Sequence, residues 1–314
     1  MNYGIIDYLF GVYGGSKELP HLMMVAKNWY TVALFHLGLV SSFYLDVRGE
    51  KDKKVWIGSY ADYDRFWRDI GSMKLLENSD VYKRVKIKKD YVESVYKGKT
   101  LRFFYEGNAQ LIDAISLIGE QFWSEAYKRL EVKGNTVIDI GANVGDSAVY
   151  FTMNGAKHTY AFEPYPYAYR MAKRNIGTNG LSNKITMINA GCGGKDTHMT
   201  LDDGLRSNSG SRLEKVKSGK KVPMFSLDTI AERYCKGNSV LKMDCEGYEY
   251  PAILEAKTAT LRKFKRMMIE YHDGYRNLEA RLREVGFYVK HDRPNTISHS
   301  HHLVGLIFAS RMDK

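Results

Sequence analysis

Cysteine is scarce in this chain: three in 314 residues, Cys192, Cys235 and Cys245, widely spaced and never as C-x-x-C. That excludes a disulfide framework and a cysteine zinc site, and it predicts a reducing, cytoplasmic setting. Long apolar runs are lacking too. The nearest, Trp29 to Leu45, is interrupted by His36, Gly38, Ser41 and Ser42. It sits at the lower length limit for crossing a bilayer and reads as a buried helix that breaks near Gly38, so no transmembrane segment is expected. Asp7 interrupts the first apolar run and no small-residue cleavage site follows, which argues against a secretory leader. There is no internal repeat and no low-complexity segment.

What is present is the composition of a globular protein, 44% hydrophobic and 26% charged, long enough for one large domain or two smaller ones. The net charge of +11 attracts acidic partners: nucleic acid, an anionic glycan, a nucleotide-linked sugar or a membrane surface. Because the charge is spread along the chain, a dedicated nucleic-acid role is possible but not favoured.

The chain is organised around Thr136 to Asp146. Thr136–Ile140 is a short β-branched apolar run, the pattern of a strand buried on both faces of a parallel sheet. Gly141 and Gly145 follow; the first can take angles closed to other residues, and the second lets backbone approach closely. Asn143 or Asp146 can cap the helix beginning there. Strand, glycine turn and helix open a nucleotide-binding βαβ unit, with its ligand outside the carboxyl end of the strand. The residue two after Gly141 is Asn143, so G-x-G-x-x-G is not formed, and no Lys-Ser or Lys-Thr follows the turn. A pyrophosphate or P-loop site is thereby disfavoured. Glu163, at the tip of the next apolar run about 20 residues on, is placed to accept both hydroxyls of an unphosphorylated ribose.

Residues 1–118 read as a separate N-terminal α+β region that serves the substrate side or an accessory role. It holds helices over 28–40 and 62–76, then strands within 82–96 and 99–105, where Lys83 to Lys89 forms the basic face of a strand. A helix over 110–129 carries Glu120. Residues 119–314 then alternate strand and helix, the signature of an α/β parallel sheet. The third strand ends at Asn189, where an adenine could lie. Residues 191–221 form a long interruption, read as a hairpin (199–201 with 222–225) and a substrate-side lid. A helix starts at Ser226, and strands follow at 239–243, 266–270, 287–290 and 303–309. The last two are joined without a helix, as an antiparallel final strand requires.

Chemistry concentrates at two strand tips. Lys242-Met243-Asp244-Cys245-Glu246-Gly247-Tyr248-Glu249 puts three carboxylates and a lysine at a central strand end, which is costly to bury unless they pair. Ile269-Glu270-Tyr271-His272 ends the neighbouring strand with a residue that titrates near neutral pH. His299, His301 and His302 read as a solvated loop, and no metal ligand set is expected.

Together with Asp139-Ile140-Gly141-Ala142-Asn143-Val144-Gly145-Asp146, Phe162-Glu163-Pro164 and Ser226-Leu227-Asp228, these elements resemble the FkbM-type methyltransferase family over about residues 120–310. The resemblance implies a class I methyltransferase (Rossmann-like) fold with a seven-stranded, mainly parallel sheet whose last strand is antiparallel. It also implies S-adenosylmethionine as methyl donor and O-methylation, often of sugars or glycosylated products. By the same carry-over, Asp139, Gly141, Asn143 and Glu163 hold the cofactor, and Lys242, Asp244, Glu246 and His272 line the reacting side. Gly145, Asn189 and Glu120 join the cofactor side from their positions in the chain. His272 or Asp244 is expected to take the acceptor proton. The Asp/Asn-Pro-Pro-Tyr element of amino-nitrogen methylation is missing at the fourth strand, which lowers the base-methylating reading. The alternatives are an RNA methyltransferase and a binding protein that keeps the fold without turnover; a dehydrogenase fits worst.

Overall fold

The computed structural model describes residues 23–36, 38–48, 54–59, 62–63, 84–202, 216, 218–292, 294–296 and 303–311. The expected helix over 62–76, the centre of the expected lid and His299, His301 and His302 fall wholly or largely outside these residues.

The first described unit is small. A seven-residue helix, α1 (Tyr30–His36), precedes a hairpin of β1 (Phe43–Asp46) and β2 (Lys54–Ile57). The apolar stretch from Trp29 to Leu45 therefore divides between a short helix and a strand, with Gly38 at φ 69° between them. Among the described residues no helix is long and apolar enough to cross a membrane.

Next comes a three-stranded antiparallel sheet of β3 (Lys86–Ile87), β4 (Tyr91–Tyr96) and β5 (Lys99–Phe104). The alternation seen in the sequence is real. Val92, Tyr96, Leu101 and Phe103 are buried, while Arg84, Lys86, Lys88 and Lys89 are exposed. The inner face packs on α2 (Asn108–Ile118) and on a knot of aromatic rings, with Phe122 5.2 Å from Tyr96, 5.6 Å from Phe103 and 5.9 Å from Tyr150. One apolar cluster thus runs through residues on both sides of position 118. The continuous helix expected over 110–129 is corrected here. After α2 the chain makes a π-helical turn, Gly119–Trp123, and then a 3-10 turn at Lys128–Leu130. A π turn widens the helix by one residue and re-aims the side chains that follow it.

The main sheet contains β6 (Thr136–Ile140), β7 (His158–Phe162), β8 (Ile185–Ile188), β12 (Ser239–Met243), β13 (Phe264–Tyr271), β14 (Tyr288–His291) and β16 (Leu303–Ser310), in the order β14-β16-β13-β12-β6-β7-β8, with the two-residue β15 (Asn295–Thr296) paired to β16 off this path. β6, β7, β8, β12 and β13 are parallel, and β16 runs antiparallel between β13 and β14. This is the α/β, mainly parallel seven-stranded order with an antiparallel last strand that the resemblance implied. Every residue of β6 and β12 is buried, as their β-branched and apolar runs require. The crossover helices are α3 (Asp146–Met153), α4 (Pro166–Thr178), α5 (Leu227–Tyr234), α6 (Glu249–Leu254), the single turn α7 (Thr258–Leu261) and α8 (Arg276–Val285). Ser226 caps α5, its hydroxyl accepting from the Thr229 N–H at 3.2 Å.

Three short strands interrupt the βα alternation. β9 (Gly191–Gly193) pairs parallel with β11 (Lys220–Ser226), which pairs antiparallel with β10 (Thr197–Leu201). The expected hairpin is present, with Met199 opposite Val222. The added strand β9 was not expected, since two of its three residues are glycine.

Helix α4 joins the antiparallel hairpin to the main sheet through two asparagines. The Asn175 carboxamide accepts from the Phe104 N–H and donates to the Val144 carbonyl, both at 2.9 Å, and Asn175 is fully buried. One turn on, Asn179 exchanges two bonds with the Arg102 backbone, at 2.9 and 2.8 Å. The pair continues the ladder of an edge strand with side-chain amides. Asn175→Ala leaves a buried N–H and a carbonyl unpaired and is expected to cost about 2–3 kcal/mol. Asn179→Ala, at a more exposed site, is expected to cost under about 1 kcal/mol. Urea unfolding of both variants checks this; equal midpoints would refute it.

Candidate active site

The carboxyl ends of β6, β7, β12 and β13, with the π turn, wall one cavity lined by Glu120, Tyr127, Gly141, Asn143, Asp146, Glu163, Lys242, Asp244, Glu246, Glu270 and His272 among others. The crevice lies where strand order reverses in an open parallel sheet, the position at which such folds bind their ligands.

On one side stands the glycine turn. Gly141 has φ 79° and Asn143 φ 44°, so the loop coils left-handed between strand and helix. A Cβ on Gly141 would lie 1.6 Å from the Asp244 carbonyl oxygen, so β6 and β12 touch at their tips with no room for a side chain. Glu163 closes this side. Its two carboxylate oxygens accept from the backbone N–H of Asn143 and of Tyr165, each at 2.9 Å, while burial pushes its carboxyl up to about 8. Each oxygen has a second lone pair and Glu163 lines the cavity, the capacity a ribose diol needs.

Asp139 does not line the cavity. It is fully buried, accepts from the Ser147 hydroxyl at 2.7 Å, and lies 3.4 Å from the Lys242 ammonium. Burial raises its carboxyl above the ordinary value despite the Lys242 charge. Lys242 is the hub. It is 2% exposed, donates to the Gly141 carbonyl at 2.6 Å and stands 3.8 Å from Asp244. Burial by itself would lower it; Tyr127, Asp139 and Asp244 around it hold it well above the usual lysine range. The lysine therefore ties the glycine turn to the tip of β12.

The opposite wall is imidazole and carboxylate. His272 Nδ1 is 2.9 Å from Glu249 Oε1, which also accepts the His272 backbone N–H at 3.1 Å. Glu249 is fully buried, and its other oxygen accepts the Gly247 N–H at 2.9 Å. This contact fixes the ring with Nδ1 donating and turns Nε2 toward the cavity, 3.2 Å from Glu246 and 3.9 Å from Asp244. Burial would lower the imidazole, but the Glu249 bond and the charges of Glu249, Glu246 and Asp244 raise it above its ordinary value. Glu246 reaches this position from a left-handed backbone, φ 54°. Glu270 and Glu120 complete the wall, both raised by burial and then by the Asp244 charge.

Besides Asp139, two more residues assigned from sequence stand elsewhere. The Asn189 amide donates to the carbonyls of Glu163 and Pro164, at 2.9 and 3.0 Å, so it braces the loop behind Glu163 and is not part of the cavity lining. Gly145 starts α3 at φ 84°, with Ala172 of α4 3.2 Å from where its Cβ would be; it serves helix packing. Glu249, Glu270 and Tyr127 were given no role. The two glutamates sit inside the motifs at the tips of β12 and β13, a signal open to use, whereas nothing in the sequence marks Tyr127.

Strand order and crevice are those of the class I methyltransferase fold. Residues 139–289, a little under half of the chain, match the model of the methyltransferase FkbM domain. Its cofactor is S-adenosylmethionine. The residues fit that group: a diol-competent carboxylate at the tip of β7, a glycine turn beside it, and an acidic wall suited to a sulfonium cation.

Matches to curated proteins are short. They include the ribosomal protein L11 methyltransferase of Carboxydothermus hydrogenoformans, 36% identical over 64 residues, 20% of this chain and 21% of that protein. Another is protein arginine N-methyltransferase 1 of Oryza sativa subsp. indica, 45% identical over 56 residues, 18% of this chain and 14% of that protein. The chain thus matches about a fifth or less of these relatives' length. Solved structures include M. jannaschii TYW2 in complex with AdoMet, with TM-score 0.37, 16% identity, and coverage of 72% of this chain and 89% of that one. An rRNA methylase from Streptococcus thermophilus gives TM-score 0.37 and 11% identity, covering 61% of this chain and 96% of that one.

Proposed function

We propose that the protein transfers a methyl group from S-adenosylmethionine to a hydroxyl or carboxyl oxygen of a sugar, glycan or other small molecule. The observation that carries this reading is the wall of Asp244, Glu246 and His272, oriented by Glu249 and facing the cavity from the strand tips beside the glycine turn. Nitrogen methylation of bases commonly uses an Asp/Asn-Pro-Pro-Tyr segment at the tip of the fourth strand; here the tip reads Asp244-Cys245-Glu246-Gly247.

The cofactor supplies a methyl group already activated on a sulfonium. What remains for the chain is to align the acceptor oxygen and remove its proton. Asp244 and His272 Nε2 are the atoms that can take it, Glu246 holds the acceptor, and Lys242 fixes Asp244. Glu120, Gly141, Asn143 and Glu163 bind the donor, with Asp139 and Gly145 supporting the turn and Asn189 the adenine end through Glu163.

Calorimetric titration with S-adenosylhomocysteine should show tight binding, and NAD none. With the acceptor found from glycans and nucleotide sugars, His272→Ala and Asp244→Asn should each lower turnover by about 10²–10⁴-fold. S-adenosylhomocysteine affinity should change by less than about threefold. Normal turnover in both variants would remove them from the chemistry. The exposed Arg84, Lys86, Lys88 and Lys89 favour RNA as the alternative acceptor. Steep salt dependence of RNA binding would support that alternative, since phosphate contacts release counterions.

A further inference from the structure

We propose that Asp244, Glu246 and His272 bind one divalent cation of the magnesium or manganese type, inside the acceptor half of the cavity. Among the described residues these three offer a ligand atom each, all within 4.8 Å of one another. Two ligands on one such ion, each roughly 2.0–2.2 Å from it, stand roughly 3–4.4 Å apart. The separations from His272 Nε2, 3.2 Å to Glu246 and 3.9 Å to Asp244, already fall in that interval.

The trio is more than a cluster of acids. Its histidine side chain is 9% exposed and is aimed by a carboxylate that is itself fully buried. A histidine whose Nδ1–H is held by a carboxylate, leaving Nε2 free to coordinate, is the arrangement that sets the tautomer and raises the basicity of a metal-bound imidazole. Glu249 does more than hold the ring. Its second oxygen takes the N–H of Gly247, the residue after Glu246, so one buried carboxylate positions ligands from both β12 and β13.

Charge points the same way. Glu120 and Glu270 line the cavity with the trio, and the neighbouring ammonium, Lys242, is engaged with Asp139 and the Gly141 carbonyl and reaches only Asp244 of the trio, at 3.8 Å. A divalent cation neutralises the carboxylates that Lys242 does not reach. Two carboxylates and one imidazole suit a hard or borderline ion with positions left over for water or acceptor oxygens. Such an ion would bind an acceptor hydroxyl and make it more acidic; with His272 Nε2 on the metal, an uncoordinated oxygen of Asp244, and not the imidazole, would take the proton. That role rests on the methyltransferase reading; the binding does not.

The experiment uses the full chain without a histidine tag and Mn2+ alone. Loss of the free-ion EPR signal should report one ion per chain, and pulsed EPR should show modulation from one coordinated imidazole nitrogen. Glu246→Gln and Asp244→Asn should each weaken binding tenfold or more, and His272→Gln should abolish the nitrogen signal. No binding by the wild-type chain, or binding without the nitrogen signal (surface carboxylates only), overturns the site. S-adenosylhomocysteine calorimetry on the same proteins reports their fold and keeps the two readings apart. Cofactor binding without Mn2+ binding refutes the cation site alone; absence of cofactor binding refutes the methyltransferase reading.

Discussion

Gly141→Ala should lose S-adenosylhomocysteine binding and more than about 3 kcal/mol of stability. Two costs add. An alanine at φ 79° is strained by about 1–2 kcal/mol, and its Cβ would sit 1.6 Å from the carbonyl oxygen of Asp244. That oxygen is backbone at the tip of the next strand and cannot rotate aside. The tips of β6 and β12 must therefore part, which moves Asp244 and breaks the bond from Lys242 to the Gly141 carbonyl. Gly145→Ala makes a control: at φ 84° it carries the same backbone strain, but its Cβ would meet Ala172 at 3.2 Å and needs a shift of only a few tenths of an ångström. Urea unfolding and calorimetry on the two variants should separate them clearly. An unchanged midpoint and affinity in Gly141→Ala would show that the strand tips are not in contact.

Lys242→Met should destabilise the fold by about 3–5 kcal/mol, because it leaves Asp139 as an uncompensated buried carboxylate. The methionine fills similar volume, so the loss reads charge and not a cavity. Asp139→Asn placed on top should recover a large part of it, and the double-mutant cycle measures the coupling. The pH dependence has a definite sign. Asp139 is already raised by burial, and removing the ammonium raises it further. A carboxyl raised in the folded state contributes stability below its unfolded value and loses it as pH climbs through the folded value. Lys242→Met should therefore weaken steadily as pH rises from the ordinary carboxylate range toward neutrality. Equal stability of wild type and variant across that range would overturn the hub role of the lysine.

How far the sequence carried depended on how local the cause was. Thr136–Ile140 and Ser239–Met243 were legible as buried strands because their patterns have no second solution, and the glycine turn marked where the ligand sits. The carboxylate and histidine tips of β12 and β13 were legible for the same reason. Other features depend on partners distant in sequence. Asn189 looks like a ligand at a strand end, but its amide is spent on the carbonyls of Glu163 and Pro164. Asp139 reads as a cofactor contact, yet its partners are Lys242 and Ser147. The π turn at Gly119–Trp123 follows an apolar helix whose period gives no warning of it. β9 is too short and glycine-rich to announce itself, and it exists because β11 offers it an edge.

The two asparagines of α4 also set an order of events on the ribosome. The hairpin that they clamp lies 71 and 77 residues upstream of them. At about 5–20 residues per second, synthesis needs roughly 4–14 s to carry the chain from Phe104 to Asn175. During that interval the apolar face of Val92, Leu101 and Phe103 awaits the later aromatics, and the edge of β5 has no partner for its N–H groups. An unpaired strand edge beside exposed apolar surface invites association between nascent chains. The segment from Arg84 to Phe104 is thus one that chaperone protection would serve during synthesis, and slower translation through 105–175 would lengthen its exposure.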